Sequence, residues 1–511
     1  MNHFSGSLSR RLRDSVSWRG IYAAGVFVLL CFALLDLLVP QRSADLFEPY
    51  GRFLLGALFG VFLFKAGLPR EWVLRLHFGY LLWLLITRWL NGDVYLFIDW
   101  KIVRCEAISF LMLSVGVLLS PEGRRRLLNI LSLVYAGFFV FFSLLGLFVS
   151  VTNTYIHVPP ENVWITIVSV INPRPLLNLL SSFRLTTAGR LYVAWGLLGY
   201  QAVRVQKKGL RVLLLLGMLV LHLTIALCYS HTIWITTSLS CAMFVLLLGH
   251  RRLRMLRPTI RVLALAAGFV VVFPVVYRSF PLSLQLRDTL YSQFAPRFEQ
   301  RYEGWEHKPD PELFGIAAPE QPIDPDILSA AYHRNTAEQN AESDDIYFDP
   351  PRSFKLEYTL SWRTLIWESV PYCIRKNPAI LLRGQLTKGL MDRTNAYLSG
   401  VYRILNQPSM HNYLFQSILL AGLPGFLMVL AWTLLLVVRM IRVFFSREET
   451  VPLSIAFLTI PMTGMLIFNM MEYELFPAWD SSSLAFLLLT GVFLGLYREY
   501  FPEKKPPAGA E

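Results

Sequence analysis

The sequence predicts an all-α protein that crosses a membrane many times. Three observations point there. The 511 residues are 54% hydrophobic and 14% aromatic, with a mean hydropathy of +0.46, too apolar for a soluble chain of this length. About twelve apolar stretches approach the roughly 20 residues needed to cross a hydrocarbon core as helix. Arginine and lysine gather in short segments at every second junction between them.

The stretches centre near residues 30, 58, 81, 109, 139, 197, 219, 240, 269, 428, 461 and 489. Each must satisfy its backbone hydrogen bonds internally, so each is expected to be helical. The first, IYAAGVFVLLCFALLDLLVP, exceeds a signal-peptide core and has no small-residue cleavage site behind it, so it is expected to be a retained span. With alternating spans, SRRLRDSVSWRG, GRRRLL, RVQKKGLR, HRRLRMLRPTIR, RMIRVFFSRE and YREYFPEKK fall on one side. The positive-inside rule makes that side the cytoplasm, puts both termini there and predicts a multi-pass plasma-membrane protein. Most of the formal charge of +13 is this topological signal, which argues against nucleic acid as a partner.

The same alternation leaves two long segments outside the membrane, near 152–187 and 279–411. Residues 1–278 then hold nine spans, 412–499 hold three, and 500–511 form a cytoplasmic tail. The larger outer segment has two halves. Residues 302–350 carry 12 Asp and Glu against 2 Lys and Arg, with six prolines, and are expected to be extended or disordered. Residues 353–410 carry 8 Lys and Arg against 3 acids, and a helical apolar period returns in YTLSWRTLIWESVPYCIRKNPAILLRGQL. Basic charge outside the membrane runs against the orientation signal. It suits either solvated and lipid-facing surfaces or a phosphate site, where guanidinium groups pair with phosphate oxygens.

At the end of this segment the chain reads MHNYLFQSILLAGLPGFLMVL. His411 stands where the basic segment enters the tenth span, and imidazole there can accept a proton from a hydroxyl. Asn412 can orient it or bind a sugar. Gly422-Leu423-Pro424-Gly425 is expected to kink the span. No His-x-x-x-His or clustered-Asp pattern at a span boundary suggests a metal, and no cofactor is indicated. Cys31, Cys105, Cys228 and Cys241 lie in or beside spans and only Cys373 lies outside, so no disulfide framework is expected.

His411-Asn412, nine residues, then Gly422-x-x-Gly425 resembles the H-N-x9-G-x-x-G signature of the bacterial O-antigen ligase and polymerase-like family. The twelve spans, cytoplasmic termini and large loop between the ninth and tenth spans are similar to its ligases. The resemblance implies a metal-independent, GT-C-like membrane glycosyltransferase. It would move a glycan from undecaprenyl pyrophosphate to a glycan, lipid or protein acceptor at the outer face of the plasma membrane. SFRLTTAGRLYVAW resembles the family's outer arginine stretch, implying a catalytic Arg184 with Arg190 beside it, although the Asn-Pro that often follows is absent. LSWRTLIWESVPYCIRKNPAILLRG resembles the loop element that places an arginine before a tryptophan, here Arg363 and Trp367, with Arg375 nearby. Its ending departs from the usual Pro-x-x-Gly. LCYSHTIW puts His231 where the family commonly has an arginine. By this resemblance His411 would activate the acceptor hydroxyl, while Arg184 and Arg363 offset charge on the departing pyrophosphate.

Transporters also commonly have twelve spans. They place ionisable groups near the bilayer midplane and often contain internal repeats, whereas here the span interiors are expected to be nearly free of acids and no repeat is detected. A carrier, a polymerase of the same family and a non-catalytic scaffold are the alternatives.

Overall fold

The computed structural model describes residues 17–38, 50–66, 71–91, 96–152, 184–228, 231–248, 257–299, 367, 370–371, 374–375, 377–384, 412–446, 451–471 and 480–502. Among these, every regular element is helical and no strand occurs. In chain order the helices are α1 (Trp18–Leu38), α2 (Arg52–Val61), α3 (Trp72–Leu90), α4 (Leu96–Leu118), α5 (Pro121–Leu131) and α6 (Gly137–Thr152). They continue with α7 (Arg184–Arg204), α8 (Lys208–Leu227), α9 (His231–Leu248), α10 (Pro258–Glu299), α11 (Ile380–Arg383), α12 (Tyr413–Phe444), α13 (Leu453–Met471) and α14 (Ser481–Tyr500). A wide π-type turn, Ser132–Ala136, joins α5 to α6 into one continuous rod.

Each of the twelve expected centres falls within one of these helices. Eight segments are both long and apolar enough to cross a membrane, among them α1, α3, the α5–α6 rod and α8, so the protein is membrane-embedded. The remaining centres fall in α2, α4, α7 and α9, which are shorter or more polar. Three of these are lined with buried residues: Thr187–Tyr200 of α7 is buried throughout, as is most of α4 and α9. By contrast, only 11% of the apolar window in α10 is buried. The polar helices therefore lie in the interior of the bundle, where their hydrogen bonds find protein partners, and α10 lies at the edge.

Local chemistry sets the helix starts. Glu71 caps α3 by accepting from the Val73 N–H at 3.2 Å. Ser120 accepts from Gly123 N–H at 3.2 Å ahead of Pro121 at the first position of α5, and Asp480 accepts from Ser482 N–H at 2.7 Å at the head of α14. Ion pairs then tie helix ends together at one end of the bundle, Arg439 with Glu71 and Arg124 with Glu499.

The tightest packing joins α4 to α14. A Cβ on Gly116 would stand 2.0 Å from the Val492 nitrogen, and one on Gly491 would stand 2.1 Å from the Leu113 carbonyl oxygen. Small residues at Gly116, Gly491 and Gly495 thus let two backbones touch, the usual way membrane helices gain van der Waals contact. Arg124 Nε closes the joint by donating to the Gly116 carbonyl at 2.7 Å. A second junction, of α7, α9 and α13, forms around Tyr192. Its hydroxyl meets the Ser240 hydroxyl and lies 3.3 Å from the Ile460 carbonyl, while Pro461 fills the space left by Gly196.

Two boundaries differ from the sequence expectation. α10 does not stop near 278 but runs on as helix to Glu299, and α7 begins at Arg184, inside the segment assigned to the first outer loop. In both cases the helical period outlasts the apolar composition that was used to place a span end. The acidic stretch 302–350 lies outside the described residues.

Gly116→Val should force α4 and α14 apart and destabilise the detergent-solubilised protein by about 1–3 kcal/mol or more. Gly56→Ala, where nothing lies within 4 Å of the new methyl group, should leave thermal unfolding nearly unchanged.

Candidate functional site

The span that begins after His411 is not one straight helix. Gly422 has φ +66° and ψ −171°, which interrupts α12 and divides it into segments 413–421 and 423–444. The Tyr413 hydroxyl lies 3.0 Å from the Thr433 hydroxyl, twenty residues on. In an unbroken helix those residues would be separated by about 30 Å along the axis. The first segment therefore folds back beside the second, making a helical hairpin with its tip at Gly422.

The two glycines of the Gly-x-x-Gly stretch have different tasks. Gly422 supplies a left-handed φ that side chains with a Cβ resist, and a Cβ there would also lie 2.7 Å from the Leu382 carbonyl oxygen. Gly425 makes room for the returning segment, since a Cβ would stand 2.3 Å from that of Ala421. Pro424 lacks the N–H that would bond to the Leu420 carbonyl four residues earlier. Arg88, 5% exposed on α3, donates to that carbonyl instead. One turn away, Trp83 Nε1 donates to the Ala421 carbonyl at 2.7 Å. Both acceptors released by the hairpin tip are thus met from α3.

The short helix α11 packs against the same tip. Gly384, at φ +65°, ends it against the Leu420 carbonyl, and Asn91 Nδ2 holds the Arg383 carbonyl at 3.1 Å. NPAILLRG, which departs from the Pro-x-x-Gly ending, therefore still finishes in a glycine with positive φ, six residues after Pro378.

At its other end, segment 413–421 starts from Asn412. The Asn412 carbonyl oxygen Oδ1 accepts from Leu414 N–H at 2.9 Å and Phe415 N–H at 3.2 Å, capping the helix. Its Nδ2 donates to the Met470 carbonyl at 3.1 Å, fixing the segment to the end of α13. Trp367 packs on Phe415 with ring centroids 5.6 Å apart, so a residue of the large loop reaches the first turn beside Asn412.

The other expected site residues are placed as follows. His411 and Arg363 lie outside the described residues. Arg184 and His231 are the first residues of α7 and α9. Arg190 is 8% exposed and forms an ion pair with Asp480, which also caps α14, so its charge is balanced within the fold. Arg375 is exposed and its Nε lies 3.4 Å from the Pro371 carbonyl. The structure thus places Trp367 on the turn that Asn412 caps and Gly422 and Gly425 at the opposite end of the same segment, with Arg190 paired to Asp480.

The chain matches no family model, no curated protein and no solved structure. Among the described residues, no group of three His, Cys, Asp or Glu side chains is arranged to hold a metal ion.

Sequence reasoning missed Trp83, Arg88, Asn91 and Gly384, the parts that hold the hairpin tip. One signal was present: a proline four residues after Leu420 announces an orphaned carbonyl. Nothing in the sequence says which helix supplies the donor.

Replacing Arg88 with Leu should leave the Leu420 carbonyl buried and unsatisfied, destabilising the protein by about 1–3 kcal/mol. Arg88→Lys should recover part of the loss in thermal unfolding, because it keeps a charged donor. Gly422→Ala should cost about 1–3 kcal/mol from backbone strain alone.

Proposed function

We propose that this protein is a twelve-span, GT-C-like glycosyltransferase that transfers a glycan from undecaprenyl pyrophosphate to an acceptor at the outer face of the plasma membrane. Within that class it acts as an O-antigen ligase-like enzyme. The observation that carries this proposal is the hairpin. Asn412, Gly422 and Gly425, separate in the sequence, belong to one folded unit whose first turn packs on Trp367 of the large loop.

The shorter or more polar helices α4, α7 and α9 fit among twelve crossings because they are enclosed by their neighbours and need not face lipid. In the proposed topology both termini are cytoplasmic, and the Gly422 tip and the Met470 end of α13, to which Asn412 is tied, lie towards the outer side.

In the proposed reaction the acceptor hydroxyl oxygen bonds to the anomeric carbon as the bond from that carbon to the phosphate oxygen breaks. His411 takes the hydroxyl proton, and undecaprenyl pyrophosphate leaves with the bonding electron pair. Arg184 and Arg363 offset the charge that develops on it. Arg190 is engaged by Asp480 and supports the scaffold beside them. Asn412 acts through its cap and its tie to Met470, anchoring the start of the hairpin. Arg375 and Arg383, exposed in the described part of the basic half, would face the anionic carrier.

Membranes of the native host carrying His411→Ala or Arg363→Ala, at matched protein levels, test this. Full-length glycan accumulating on the lipid carrier while mature polysaccharide disappears is the expected result. Accumulation of single repeat units would make the enzyme a polymerase. Unchanged pools in both variants would remove the transferase assignment and favour a carrier or scaffold.

A further inference from the structure

The helices that hold the hairpin tip contain a second polar feature that the proposed transfer reaction does not use. Glu106 lies near the middle of the 23-residue α4, and His77 lies on α3. His77 Nε2 is 2.7 Å from Glu106 Oε1, and both side chains are wholly buried. Glu106 is an exception to the expectation that the span interiors would be nearly free of acids.

The surroundings are aromatic. The Phe110 ring lies 6.1 Å and the Trp432 ring 6.3 Å from the imidazole, centroid to centroid. Phe62 and Phe78 close over Phe110 at 4.9 and 5.2 Å. Other ionisable groups on the packed helices are engaged elsewhere. Glu71 pairs with Arg439, Glu499 with Arg124, Tyr497 with Arg442 and Tyr22 with Ser114. Arg75 stacks over Trp72, Lys65 is exposed, and Arg104 is half-buried on α4.

Proton counting follows from that setting. With one proton, the pair is neutral overall, either as imidazole with carboxylic acid or as imidazolium with carboxylate. With none or two, a net charge remains in apolar surroundings. A structural strut between α3 and α4 has no need of two titratable groups, since apolar side chains of the same volume pack at least as stably.

We propose that His77 and Glu106 form an intramembrane proton-binding site that holds one proton between imidazole and carboxylate. Exchange of that proton with water requires α3 and α4 to part. α3 also carries Trp83 and Arg88, so a motion that opens the proton site displaces the donors that hold the hairpin tip. The site is independent of the glycan reaction and holds for an enzyme or a carrier alike.

The test uses the full chain in lipid nanodiscs with nitrogen-15 in its histidines, observed by solid-state NMR while the pH is stepped between about 4 and about 10. The His77 resonances are assigned by their loss in His77→Gln. The expected result is a nitrogen shift that marks a proton shared with Glu106 and that responds to the pH steps. Glu106→Gln should abolish that response. The exchanged pair H77E/E106H should restore it, which also separates proton binding from simple misfolding of a single variant. Ring nitrogens that ignore the pH steps, or whose response survives Glu106→Gln, would overturn the proposal and leave the pair as a fixed strut.

Discussion

Two carbonyl oxygens hold the candidate site in place. The reversal at Gly422 and the missing N–H of Pro424 deprive Leu420 and Ala421 of helical partners, in a part of the protein where water is scarce. Arg88 and Trp83 supply the replacements from α3. Without those donors the hairpin would leave two buried acceptors unsatisfied, and a straight helix would be the better solution. Everything upstream depends on the bend: the packing of α11 on the tip, the return of Tyr413 to Thr433, and the tie from Asn412 to Met470.

This gives a physical meaning to a short sequence pattern. An asparagine, nine residues and then two glycines three apart describe a capped helical segment of fixed length, a left-handed turn and a space for close return. Asn412 spends its side chain on backbone groups of the hairpin and of α13. In the proposed enzyme its contribution is therefore geometric, and the chemistry belongs to its neighbour and to arginines from other parts of the chain.

The helices were legible in the sequence because long apolar runs in a membrane have only one way to satisfy their backbones. All twelve centres were found, including that of α4, although Asp99, Lys101, Arg104 and Glu106 crowd its first half. The kink at Gly422 was also legible, from Gly and Pro together. Its conversion into a full reversal was not, because the angle depends on Gly425 and on donors more than three hundred residues earlier in the chain. Arg190 shows the same limit in another form. Its position suited a phosphate ligand, but pairing with Asp480, 290 residues away, is a tertiary fact that local spacing cannot contain.

The burial of the polar helices has a consequence for how the protein is made. In the proposed twelve-span arrangement, α4 and α7 are too rich in charged and polar groups to partition into lipid as isolated segments. Glu106 is buried beside His77, and Arg190 beside Asp480, which is synthesised 290 residues later. During biogenesis α4 can enter the bilayer paired with α3, which has already emerged. α7 completes its packing only once α13 and Asp480 are present. Assembly of this protein should accordingly be late and cooperative, with truncated chains recognised as defective by the membrane quality-control system.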